Sequence, residues 1–180
     1  SIALVGLRSL LEQHAIQDTP QPLMVALGRD VTGLPVYADL ARMPHLLVSG
    51  STGSGKSVSI HALVSSLLYR NGPETLRFIM VDPKRVELSI YNDIPHLLTP
   101  VITDAKKTIQ VLRWATKEMD RRYDLLSGFH ARDIISYNAS IGKDADREPL
   151  PYTVIIIDEL ADLMAVYPRV VPKSPLGTAV

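Results

Sequence analysis

Between Gly50 and Ser57 the chain reads Gly-Ser-Thr-Gly-Ser-Gly-Lys-Ser, with the apolar run His45-Leu-Leu-Val-Ser49 before it and a helical pattern after it. Few stretches of eight residues constrain a fold as strongly. Every fixed position of G-x-x-x-x-G-K-[ST] is filled, and that pattern calls for a strand to deliver the loop and a helix to receive it. Gly50, Gly53 and Gly55 let the backbone curl closely enough for its N–H groups to face an anion. The following helix adds the positive end of its dipole. Read as chemistry, Gly50, Ser51, Thr52, Gly53, Ser54 and Gly55 wrap the phosphates of ATP. Lys56 reaches the β- and γ-phosphates, and Ser57 offers an oxygen to Mg²⁺. A flexible Gly/Ser turn could spell the same letters, but the flanking patterns favour the phosphate loop.

The rest of the chain supplies the alternation such a loop needs. Leu7, Leu10 and Leu11, with Leu4, suggest a short helix that Asp18-Thr-Pro-Gln-Pro22 ends. Leu23 to Leu27 and Leu34 to Tyr37 flank the turn residues Asp30-Val-Thr-Gly33, a hairpin pattern. From His45 onward, strand-like runs alternate with helical ones, the mark of a parallel sheet with crossover helices. A helix is expected from Gly55 to Tyr69, closed by Asn71-Gly-Pro73, and a strand at Leu76–Asp82. Thr103 is expected to cap a long helix with Ala105, Ile109, Leu112, Ala115, Met119, Tyr123 and Leu126 along one face. A shorter helix follows over 131–141, then a solvated loop at Gly142-Lys-Asp-Ala-Asp-Arg-Glu-Pro149. Thr153-Val-Ile-Ile-Ile-Asp158 reads as a buried parallel strand.

That last strand carries the second half of the chemistry. An apolar strand ending in Asp158 presents a carboxylate at the sheet edge where ligands of α/β folds bind. There Asp158 can hold Mg²⁺, while Glu159 is placed to orient or deprotonate the attacking water. Together with the loop, this points to ATP hydrolysis, with Lys56 and Glu159 as the catalytic pair.

Composition narrows the partners. The 180 residues carry 19 Lys+Arg against 19 Asp+Glu, which excludes binding by bulk positive charge but not basic groups lining a channel. There is no cysteine, hence neither disulfide nor thiolate metal site. No apolar run reaches the ~18 residues of a membrane span. Four other features have a bland reading beside a functional one. Asp82-Pro-Lys84 is a Pro turn with two exposed charges, or it sets Asp82 or Lys84 beside the nucleotide or at a neighbouring subunit. Arg121 and Arg122 form a solvated face paired with Glu118 or serve a neighbouring site in trans. His45 and His96 read as packed or capping histidines, Trp114 and Tyr123 as helix packing rather than base-stacking platforms.

Longer stretches carry a resemblance. These are Gly28-Arg-Asp-Val-Thr-Gly-Leu-Pro35, Asp39-Leu-Ala-Arg-Met-Pro-His-Leu-Leu-Val-Ser49 into the loop, and Phe78-Ile-Met-Val-Asp-Pro-Lys84. They continue in Glu87-Leu88, Ile94-Pro-His-Leu-Leu98, Glu118-Met-Asp-Arg-Arg-Tyr123, Tyr137-Asn138 and Ile157-Asp-Glu-Leu-Ala-Asp-Leu-Met164. From Pro22 to Met164 the chain resembles the motor domain of the FtsK/SpoIIIE DNA translocases. The resemblance implies an α/β, RecA-like P-loop ATPase that assembles as a hexameric ring on double-stranded DNA and moves it in bacterial chromosome segregation and cell division. It implies ATP and Mg²⁺ as cofactors and a cytoplasmic segment making no membrane contact of its own. The parent protein would be anchored to the inner membrane by an N-terminal region.

After Met164 the chain departs from the family. Three prolines follow within Tyr167–Val180 where a further helix and the sensor strand would stand. The expected division is therefore 1–44 as a helix and hairpin leading in, 45–164 as a partial ATPase core, and 165–180 as a divergent or truncated tail. Two alternatives stand beside the translocase: an FtsK-like ring ATPase of a secretion system, and a fragment that binds nucleotide without turnover.

Overall fold

The computed structural model describes residues 5–43, 45–51, 53–142 and 146–166. The expectations placed on Leu4, Pro44, Thr52, part of the 142–149 loop and the tail from Tyr167 lie outside those residues. The chain forms two compact units, one ending at Gly72 and the other beginning at Pro73.

In the first unit, α1 (Leu7–Leu11) and α2 (His14–Gln17) precede the hairpin of β1 (Met24–Arg29) and β2 (Pro35–Asp39), and α3 (Lys56–Arg70) follows. The hairpin closes as its sequence demands. The Asp30 carboxylate accepts the N–H groups of Thr32 and Leu34, and Gly33 takes a positive φ of 85°. Leu10, Leu11, Ile16 and Ala26 form a small core with Leu7, Met24 and Tyr37 packed against it. A fully buried Ile16 contributes about 1.5–3 kcal/mol by leaving water. The far end of α3 is fastened by polar groups. Arg70 donates to the carbonyls of Gln21 and Thr19 at 2.6 and 2.7 Å, and Asn71 to that of Pro22 at 2.8 Å. α3 keeps Ile60, Val64 and Leu67 inward, the 3/4 spacing of a buried stripe.

One expected strand does not form. Residues 45–49 hold no strand, and Leu47 is 71% exposed. An apolar run becomes a strand only where another strand accepts its hydrogen bonds, and among the described residues none does. His45 is exposed rather than packed.

The second unit is built on two parallel strands, β3 (Leu76–Val81) and β4 (Tyr152–Ile157), paired without a slip from Leu76↔Tyr152 to Val81↔Ile157. β3 is buried at every position but Arg77, whereas β4, the continuous apolar run expected to be the buried strand, is only half-buried along its length. The other edge of β3 is covered by a segment absent from the sequence reading. Phe78 N–H donates to the His96 carbonyl, Leu98 N–H to the Phe78 carbonyl, and Ile102 N–H to the Met80 carbonyl, all within 2.8–2.9 Å. His96 is buried beside the Phe78 ring, as a packed histidine should be.

The long helix α4 (Ala105–Gly128) is capped by Asp104, not Thr103: the Asp104 carboxylate accepts the Lys107 N–H at 2.9 Å. Only Thr108 and Ile109 of α4 are buried. Trp114 and Tyr123, expected to pack, are 43% and 47% exposed. α5 (Ile134–Ile141) starts three residues later than expected because Asp133 and Ser136 form a reciprocal capping box. Arg147 lies over the Phe129 ring at 3.9 Å and the Tyr137 ring at 4.7 Å, so the loop after α5 is partly pinned. The unit's last described helix is α6 (Leu160–Val166). Among the described residues no helix is long and apolar enough to cross a membrane.

Candidate functional site

The phosphate-loop residues belong to the first unit. Ser54 N–H donates to the Ser51 carbonyl at 3.0 Å, and Gly53 and Gly55 take φ of 80° and 94°, which residues with a β-carbon rarely adopt. At Gly50 a β-carbon would collide with the Ser54 side chain. Gly50, Ser51, Gly53 and Ser54 are exposed, while Lys56 and Ser57 are half-buried at the first turn of α3. Gly55 caps that 15-residue helix without a side-chain hydrogen bond. A helix N-terminus that follows a glycine-rich turn presents N–H groups of the kind that suit an anion.

Asp158 and Glu159 belong to the second unit, at the carboxyl end of β4. Asp158 is buried, and its N–H donates to the Val81 carbonyl at 2.9 Å, extending the ladder to the last residue before the turn. Glu159 has φ 58°, a left-handed backbone uncommon for a glutamate. Its carboxylate lies 3.2 Å from the Lys84 ammonium, which also stands 3.8 Å from Asp162.

Sequence reasoning missed this pairing and misjudged Asp82. The Asp-Pro-Lys turn does not carry two exposed charges: Asp82 is wholly buried, and its carboxylate accepts the N–H groups of Glu87 and Leu88, each at 2.9 Å. The available signal was position. A second strand ending in Asp, parallel to the one ending in Asp-Glu, puts both carboxyl ends at one edge.

Arg121 and Arg122 take the bland reading and extend it. Both hold Glu118, and Arg122 also donates to the Pro151 carbonyl at 2.7 Å, tying α4 to the entry of β4. Hydrogen bonding from Arg121, then Arg122, holds the Glu118 carboxyl down at about 2. Among the described residues no group of three or more His, Asp or Glu side chains is gathered to hold a metal.

An α/β chain with a glycine-rich loop entering a helix and parallel strands ending in acidic residues has the layout of a P-loop ATPase, and solved structures share that fold. The conjugation coupling protein TcpA, in its monomer form with ATPγS, is 31% identical with a TM-score of 0.67, over 82% of this chain and 38% of that one. The cytoplasmic domain of the type VII secretion ATPase EccC from Thermomonospora curvata is 27% identical with a TM-score of 0.76, over 94% and 22%. The sequence profile of the FtsK/SpoIIIE family matches residues 6–173, and the chain belongs to that family. It is 50% identical to the DNA translocase FtsK of Haemophilus influenzae over 91% of this chain and 35% of that protein. It is 51% identical to the DNA translocase FtsK of Helicobacter pylori strain J99 over 89% and 19%. The chain thus spans about a third or less of the length of these relatives.

Proposed function

We propose that the chain is a segment of an ATP-driven motor that moves double-stranded DNA. The observation that carries this reading is identity at about half of the aligned positions with DNA translocases, over about nine-tenths of the chain. Backbone N–H groups from Gly50, Ser51, Thr52, Gly53, Ser54 and Gly55 bind the phosphates, and Lys56 supplies the fixed cation on the β- and γ-phosphates. Ser57 and Asp158 are the hard oxygen donors that Mg²⁺ prefers, and the ion when bound would neutralise phosphate charge. Glu159 accepts the proton of the attacking water. The water oxygen bonds to the γ-phosphorus, the bridging P–O bond breaks, and ADP leaves with the electron pair. Assembly as a hexameric ring around DNA, within a protein anchored to the bacterial inner membrane, completes the reading by family analogy.

The test is steady-state phosphate release by the intact protein with and without duplex DNA, beside a nucleotide titration. DNA-stimulated hydrolysis is expected. Glu159→Gln should retain ATP yet hydrolyse about 10²–10⁴-fold more slowly, since an amide cannot take up the proton. The likeness to the EccC secretion ATPase favours one second reading, a motor that moves protein. Stimulation by a peptide rather than by DNA would select it.

A further inference from the structure

We propose that Lys84 is a positioning residue for Glu159, its ammonium fixing the carboxylate that takes the proton during ATP hydrolysis. This rests on the general-base role just proposed. Three observations converge on it. First, Lys84 Nζ lies 3.2 Å from Glu159 Oε2 and 3.8 Å from Asp162 Oδ2, so one cation bridges two carboxylates that like charge would push apart. Second, the loop that delivers Lys84 is built for the purpose. Buried Asp82 gathers the N–H groups of Glu87 and Leu88, the Arg85 N–H donates to the Asp82 carbonyl at 3.2 Å, and Pro83 limits φ between them. The β3–β4 register then sets this loop beside the end of β4. Third, Glu159 is held at φ 58°, a strained conformation that persists only where its surroundings impose it.

A half-exposed ion pair adds little to stability, so the pairing of Lys84 with Glu159 is not explained by folding. It is explained by orientation: a base must meet its water in one geometry, and an untethered glutamate samples several rotamers.

The experiment measures kcat and KM for ATP in the intact protein carrying Lys84→Met, Lys84→Arg, Glu159→Gln, and Lys84→Met combined with Glu159→Gln. Lys84→Met should lower kcat about tenfold with KM within about twofold of wild type, because only the reacting geometry is lost. Lys84→Arg, which keeps a cation, should recover most of it. In the Glu159→Gln background Lys84→Met should do nothing more, since the group it positions is gone. Unchanged kcat in Lys84→Met, or an equal further loss in the Glu159→Gln background, overturns the proposal. Turnover that Glu159→Gln leaves intact overturns the general-base reading itself, a different result on the same plate. Wild type without any hydrolysis overturns both.

Discussion

Two loops of this molecule bind backbone N–H groups to an anion in opposite ways. The Asp82–Leu88 loop carries its own anion: the buried Asp82 carboxylate accepts two N–H groups and leaves the loop satisfied. The Gly50–Ser57 loop has no internal carboxylate. It turns on glycines at positive φ and runs into a helix whose N-cap residue is Gly55. Both use the same donor chemistry, but one holds a carboxylate of its own and the other has none within its sequence. Substitution in the first should therefore cost stability, and in the second affinity.

The comparison breaks if those costs fall together. The largest effect is expected from Lys56→Ala. Losing the fixed cation on the phosphates should weaken ATP binding about 10–150-fold by calorimetry, on the scale of one charged hydrogen bond. The unfolding midpoint should not move, because Lys56 anchors no core. Asp82→Ala should do the reverse, costing about 3 kcal/mol in denaturant unfolding as two N–H groups lose a charged acceptor. Gly50→Ala sharpens the contrast. Its β-carbon meets Ser54, so ATP affinity should fall about tenfold while stability holds. Adding Ser54→Gly removes the collision and should return part of that loss.

The smallest effect concerns acid. Glu118 is held at about 2 by Arg121 and Arg122, against an ordinary value of 4.5. A depressed folded value gives stability that is fully present above the ordinary value and fades as pH falls from about 4.5 toward 2. The stability gap between wild type and Glu118→Gln should therefore be widest at neutral pH and close across that window. Urea midpoints measured at intervals of one pH unit would check it, and a gap constant down to pH 2 would deny the triad its role. At neutral pH the gap should stay near or below about 1 kcal/mol, as for other partly exposed pairs.

What the sequence made legible divides along the same line of local against distant causes. The hairpin, α3 and β3 were readable because their signals lie within a few residues: Asp30 and Gly33 at the turn, Gly55 and Asn71 at the helix ends, and the apolar run Phe78–Val81 in β3. The phosphate loop was readable for the same reason. His45–Ser49 misled because a strand is made by its neighbours, which no local pattern reports. The segment pairing with β3 was hidden by Thr99 and Pro100, which interrupt its apolar residues. Asp104 took the cap from Thr103 by one position, a margin within which helix ends commonly vary. The ion pair from Lys84 to Glu159 spans 75 positions of sequence, and only the β3–β4 pairing brings its ends together.

The register of β3 against β4 has a consequence in time. Each residue of β3 lies in register with one made 76 positions later, as Leu76 does with Tyr152. A ribosome adding about 5–20 residues per second would present a bare apolar strand for roughly 4–15 seconds before its partner exists. The segment at His96–Ile102 shortens that exposure, because it emerges about 20 positions after β3 and closes one of its edges. The order of protection during refolding should follow: the Leu98 amide, bonded to Phe78, should resist hydrogen exchange before the Tyr152 amide, bonded to Thr75. A nascent chain would then meet its neighbours in the cell with one sticky side instead of two.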